Sequence, residues 1–144
     1  MASFEKDHEL AGMIRKIESL ANNEQIYSDL ISEGQNIMKS EIQSGANQHV
    51  KTGKMASSLK NTKPKKNSNG EWVGRVKFTG SNGVYTTKTG KKYDITNWLK
   101  AFRIEYGTSK QKAKPFVRPA IERSENAISK KWNEIYERKL KDLQ

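Results

Sequence analysis

Apolar residues recur at three- and four-residue spacing early in the chain, alternate with polar ones in part of the middle, and return to helical spacing towards the end. Leu10, Met13, Ile14, Ile17, Leu20 and Ala21, with Glu and Lys between them, predict an amphipathic first helix. "ANN" interrupts it. A second stripe, Tyr27, Leu30, Ile31, Ile37, Met38 and Ile42, predicts a helix that opens after Asn23 as its N-cap and ends by Gly45. The stretch "SGANQHVKTG" that follows reads as a loop.

Beyond it the period falls to two. In "EWVGRVKF" Trp72, Val76 and Phe78 share one face and Arg75 and Lys77 the other, with Val73 out of step, which predicts a half-buried strand. Asn69-Gly70 before it is a hairpin signal, because both residues tolerate positive φ. The preceding "SLKNTKPKK" is then the antiparallel partner, placed at an edge by Pro64. Asn82-Gly83 repeats the turn signal after Phe78, and "VYTTKTGKKYDI" predicts a further hairpin around Thr89-Gly90. Together these strands read as a meander.

"ITNWLKAFRIEYG" regains helical spacing through Trp98, Leu99, Phe102 and Tyr106, with Gly107 at the C-cap position. A strand from Arg103 to Tyr106 is the alternative. Pro119 suits the first position of a final long helix striped by Ile121, Ile128, Trp132, Ile135, Tyr136, Leu140 and Leu143. Helices, then strands, then helices predict an α+β domain in which a small antiparallel sheet is packed by N-terminal helices and a long C-terminal helix. The whole chain, 1–144, reads as one domain: helices over 1–45, basic strands and hairpins over 46–95, and a short helix, a Gly-Thr turn and the last helix over 96–144.

Charge changes this picture in one respect. From Lys51 to Arg118 there are 17 Lys and Arg against three acids, Glu71, Asp94 and Glu105, so the net +11 belongs to the middle of the chain. Such a concentration suits either a set of solvated strands or a face that meets phosphate or an acidic protein. The aromatics Trp72, Phe78, Trp98 and Phe102 read as core residues rather than base-stacking ones. No apolar run approaches the roughly 20 residues of a membrane span, and the N-terminus lacks a signal peptide's apolar stretch, so a cytoplasmic protein with no membrane partner is expected.

Candidate chemistry is sparse. Without cysteine there is no disulfide, no thiolate zinc site and no cysteine nucleophile. His8 and His49 stand alone, and there is no glycine-rich phosphate loop, nucleophile elbow or dinucleotide fingerprint. Glu71, Asp94 and Glu105 are scattered among lysines and read as ion-pair partners rather than nuclease metal ligands. The expectation is a protein that is not an enzyme and takes no metal or cofactor.

"EYGT", Glu105 to Thr108, followed by "PFVRPA", Pro115 to Ala120, resembles the signature of the tailed-bacteriophage head-tail joining, or tail-completion, family, the gp-ten-like tail components. "TGKMASSL" upstream, with Thr52, Gly53 and Met55, resembles that family's Thr-Gly stretch, Met55 standing where leucine is commoner. The order of elements is also similar from about Leu30 onward, while the basic hairpin from Tyr85 to Tyr93 looks like an insertion.

The resemblance implies a structural protein of a phage or prophage that acts by assembly. It is expected as a homo-oligomeric ring, sixfold by tail symmetry, docked to other neck and tail proteins: the connector, the tail terminator or the tail tube. It is made in the host bacterial cytoplasm and ends in the virion neck. The motif residues Thr52, Gly53, Met55, Glu105, Tyr106, Gly107, Thr108, Pro115, Phe116, Arg118 and Pro119 are its expected framework, with Phe116 as core anchor. With Pro119 opening the last helix, Arg118 falls at the cap, where a cation is disfavoured, and a side-chain pair with Glu105 is expected to hold it, with a solvated arginine as the alternative. Lys88, Lys91 and Lys92 are the candidate docking residues, or transient DNA contacts. A basic protein that binds nucleic acid without sequence preference is the alternative.

Overall fold

The computed structural model describes residues 11–15, 18, 24–49 and 53–142. Residues 11–15 and 18 are helical, and the rest of the predicted first helix, together with His8, Asn23, Thr52 and Leu143, lies outside the described residues. Helix α1 spans Glu24–Ala46 and passes into a 3-10 turn at Asn47–His49, so the helix and its turn take the first part of the stretch expected to be loop. A single helical turn, α2 (Lys54–Ser57), leads into β1 (Leu59–Asn61), β2 (Lys65–Lys66), β3 (Trp72–Val73), β4 (Val76–Phe78), β5 (Ser81–Thr86) and β6 (Lys92–Thr96). Helices α3 (Asn97–Tyr106) and α4 (Val117–Asp142) complete an α+β fold.

Helices α1 and α4 run antiparallel. Phe116, Arg123 and Trp132 of the later segment meet Gly45, Glu41 and Gly34 of the earlier one, in descending order. The two glycines permit the approach: a Cβ at Gly45 would lie 3.1 Å from the Phe116 side chain, and one at Gly34 3.3 Å from the Trp132 ring. Trp132 adds a hydrogen bond from its Nε1 to the Leu30 carbonyl at 2.7 Å. An indole buried on one side retains its polar N–H by this means.

The core gathers where these helices meet α2, α3 and the first strand. Ile42, Ala46, Met55, Ala56, Leu59, Ala101, Ile104, Phe116 and Ala120 form it, with Val76, Phe78 and Val117 packed on its edge. Phe116 is buried and meets Phe78 edge-on at 6.1 Å between ring centres, in accord with its expected anchoring role.

The strands form consecutive antiparallel hairpins rather than one continuous sheet. β1 pairs with β4, β2 with β3 and β5 with β6, and each ladder has two strands. The predicted single strand over "EWVGRVKF" is divided at Gly74 and Arg75 because the Gln35 side chain enters the hairpin there. Gln35 Nε2 donates to the carbonyls of Thr62 at 2.8 Å and Arg75 at 3.0 Å. A Cβ on Gly74 would stand 2.4 Å from Ile31 and 2.6 Å from Gln35 Nε2, so helix and hairpin are in direct apposition.

Asn69-Gly70 turns as expected, with Gly70 at φ 79° and the Asn67 carboxamide accepting the amides of Asn69 and Glu71. Asn82-Gly83 does not turn. The chain bends instead at Gly80, at φ 79°, and Asn82 and Gly83 lie inside β5 at a bulge. Buried Asn97 stabilises that arrangement, since its Nδ2 donates to the Thr79 carbonyl at 2.7 Å and its Oδ1 accepts from Asn82 Nδ2 at 2.8 Å. Thr96 caps α3 by accepting the Leu99 amide, which excludes the strand alternative for Arg103 to Tyr106.

Candidate functional site

The motif residues that the structure describes converge on the joint between α3 and α4. Helix α3 ends at Tyr106, and Gly107 follows at φ 77°, ψ 177°, a conformation open essentially to glycine alone. A Cβ there would also lie 2.8 Å from the Ala113 amide nitrogen, so the connection packs against the glycine itself. Thr108 pairs with Gln111 across a tight turn, and the Lys114 amide donates back to the Ile104 carbonyl at 2.8 Å. Pro115 is exposed, Phe116 is buried and α4 begins. Gly53 heads α2 and Met55 enters the same core cluster as Phe116.

Glu105 is the centre of this joint. Its Oε2 accepts the amides of Phe116 at 2.7 Å and Val117 at 2.8 Å, and its Oε1 accepts that of Arg118 at 3.0 Å. A carboxylate from one helix therefore caps the next, satisfying amides that have no partner within their own helix and meeting the positive end of its dipole. Burial by itself would raise the Glu105 pKa, but the amides of Arg118, Val117 and Phe116, with the Arg118 charge, outweigh it and hold the carboxyl below its ordinary value.

The expected Glu105–Arg118 side-chain pair is thus corrected. Helix α4 begins at Val117, so Arg118 lies inside its first turn instead of at the cap, and Pro119 follows it there without losing an intrahelical hydrogen bond. Glu105 binds Arg118 by its main chain. The guanidinium instead lies over the Tyr106 ring, 5.9 Å from its centre. Side-chain ion pairs do form elsewhere, between Lys66 and Glu24 and between Arg123 and Glu41. Glu71 and Asp94, expected in ion pairs, accept hydrogen bonds from the Asn67 carboxamide and the Ser81 hydroxyl.

Helix α3 presents two different faces. Asn97, Ala101, Ile104 and Glu105 are buried, whereas Trp98, Phe102 and Tyr106 are 56%, 45% and 57% exposed. The core role expected of Trp98 and Phe102 is therefore corrected, while Phe78 and Trp72 are half-buried, the latter stacked on Tyr27. Trp98 and Phe102 stack at 5.3 Å between ring centres, and Phe102 meets Tyr106 at 4.7 Å. This ladder of aromatics is one wall of a groove of about 640 Å³. Val76, Phe78 and Val117 line it, and Ile121, Glu122 and Glu125 of α4 form its other side. Helical spacing in the sequence showed that these aromatics share a face; it did not show that the core lies against the opposite one.

On its other side α3 borders a pocket of about 500 Å³ lined by Lys100, Arg103, Lys114 and His49, with polar Gln48, Asn82 and Gln111 and, among the described residues, no acid. The cations expected to make contacts lie elsewhere. Lys88, Lys91 and Lys92 lie on the separate β5–β6 hairpin, all exposed, with Lys91 Nζ 5.2 Å from the centre of the Tyr93 ring. Among the described residues no three His, Asp or Glu side chains come together as metal ligands, and no helix is long and apolar enough to cross a membrane. No family model matches the chain, and neither a curated protein nor a solved structure is significantly similar to it.

Proposed function

We propose that this chain is a structural protein of a tailed-phage or prophage head-tail joint, completing the tail or connector by ring assembly and by docking to neighbouring neck proteins. The observation that carries this reading is the α3 surface. A buried carboxylate ties α3 to α4, and α3 displays three aromatics in mutual contact to solvent. Exposed aromatics clustered on one face are a mark of a protein interface. The similarity of "EYGT", "PFVRPA" and "TGKMASSL" to the joining family gives that interface its setting.

The test is genetic and visual. Deleting the gene from a phage or prophage that carries it is expected to leave filled heads and finished tails unjoined, with joining restored by the gene in trans. Intact virions from the deletion would overturn the proposal, as would a particle neck imaged without copies of this protein.

A second reading is favoured by the acid-free pocket of Lys100, Arg103 and Lys114. Three cations around one concavity suit a phosphate backbone, and non-specific duplex binding would follow from them with a steep salt dependence. In a ring threaded by DNA the two readings are compatible.

A further inference from the structure

Beyond the groove, a second apolar surface is exposed. In the β5–β6 hairpin Tyr85 stands directly opposite Tyr93, so both side chains occupy one face of the ribbon, 58% and 48% exposed. Val84, on the opposite face, is 62% exposed. A two-stranded ribbon is marginal by itself in water, and aromatic side chains left in solvent on it contribute little to this fold. Lys91 lies against the Tyr93 ring and Lys88 sits in the hairpin turn, whereas Lys92, opposite Thr86, and Asp94, opposite Val84, fall on the other face of the ribbon. The groove carries Trp98, Phe102 and Tyr106 on one side and Glu122 and Glu125 on the other.

Resting on the ring reading, we propose that the β5–β6 hairpin of one copy docks in the aromatic groove of the next. The Tyr85–Tyr93 face lies on Trp98, Phe102 and Tyr106, and Lys88 and Lys91 meet Glu122 and Glu125. The groove's own cations do not oppose this strongly: Arg118 lies over Tyr106, and Lys77 sits on the strand side. The occupant is a second copy because β6 ends at Thr96 and α3 begins at Asn97, leaving no linker by which the hairpin could swing onto the exposed face of its own α3. Two different patches of one chain then join head to tail, the kind of contact that closes into a ring when its rotation permits. The hairpin that looked like an insertion becomes the element that connects subunits.

The absence of cysteine makes the contact directly testable. Full-length Thr89→Cys, in the hairpin turn, and Lys77→Cys, at the groove, leave every aromatic and acid of the proposed contact in place. Mixed and treated with a short bis-maleimide, they are expected to give the heterodimer in about ten-fold excess over either homodimer, and adding Lys88→Glu and Lys91→Glu to the hairpin variant should cut that yield about ten-fold. Adding Glu122→Lys and Glu125→Lys to the groove variant should restore it. Equal homodimers, no cross-link, or a yield indifferent to charge would overturn the hairpin contact. Applied to particles, necks that contain the protein but lack the cross-link would remove this contact and leave the ring, whereas necks without the protein would remove both.

Discussion

Glu105 caps the helix that begins beside Phe116, its Oε2 accepting the Phe116 amide at 2.7 Å while the Phe116 ring is buried in the core. One short hydrogen bond therefore ties the end of α3 to the start of α4 beside a residue of the apolar core. The angle between the two helices, and with it the presentation of Trp98, Phe102 and Tyr106, depends on this bond and its two neighbours. Replacing the carboxylate is expected to loosen the docking face as well as the fold.

Stability should register this first. Glu105→Gln, which keeps one acceptor, is expected to cost about 1–2 kcal/mol, and Glu105→Ala about 2–4 kcal/mol, by denaturant unfolding. Arg118→Ala removes the contact with Tyr106 and the weaker pull of its charge on Glu105, and should cost about 0.5–1 kcal/mol. Because Glu105 binds the amide of residue 118 whatever its side chain, the double variant should be additive within about 0.5 kcal/mol. A larger coupling would restore the side-chain pair.

Acid titration should show the same carboxylate. Its folded pKa lies below the ordinary value of 4.5, so the stabilisation it gives is fully present above that pH and is lost as pH falls through the lower folded value. Wild-type stability should therefore decline below pH 4.5 more steeply than that of Glu105→Gln. Parallel acid limbs for the two proteins would contradict the capping role.

Gly107→Ala is expected to be more damaging than its single methyl suggests. The backbone at φ 77°, ψ 177° costs an L-residue about 1–3 kcal/mol, and the new Cβ would meet the Ala113 nitrogen, which is main chain and cannot rotate away. Thermal unfolding within a few degrees of wild type would show that the connection can shift.

Gly74→Ala tests the apposition of helix and hairpin. Its Cβ would collide with Ile31 and with the Gln35 carboxamide, so a loss of about 1–3 kcal/mol is expected. Gln35→Ala added to it should relieve part of the clash and make the pair less than additive. Full additivity by denaturant unfolding would place the strain elsewhere.

Binding to duplex DNA separates the two cation sets. If the pocket meets phosphate, Lys100→Glu with Lys114→Glu should weaken binding at low salt by about ten-fold and flatten its salt dependence, while charge reversal at Lys88, Lys91 and Lys92 should have the smaller effect. Tight binding at physiological salt that reversal of the hairpin lysines abolishes would assign those lysines to DNA and weaken the docking proposal.

Elements whose signals are local are legible in the chain alone. The stripe from Tyr27 to Ile42 and the turns at Gly70 and Gly90 depend on spacing and on glycine's tolerance of positive φ, and they stand where the pattern puts them. Tertiary structure decided which face of each element meets another. Trp98, Phe102 and Tyr106 form as good a stripe as Ala101 and Ile104, and their exposure follows from the latter pair packing with α2 and α1 in the core. The Asn82-Gly83 turn failed because buried Asn97, fifteen residues away from Asn82, holds that segment extended. Glu105 looked like an ion-pair partner because sequence shows charges and not amides; only the approach of two helix ends supplied the three N–H groups that it accepts.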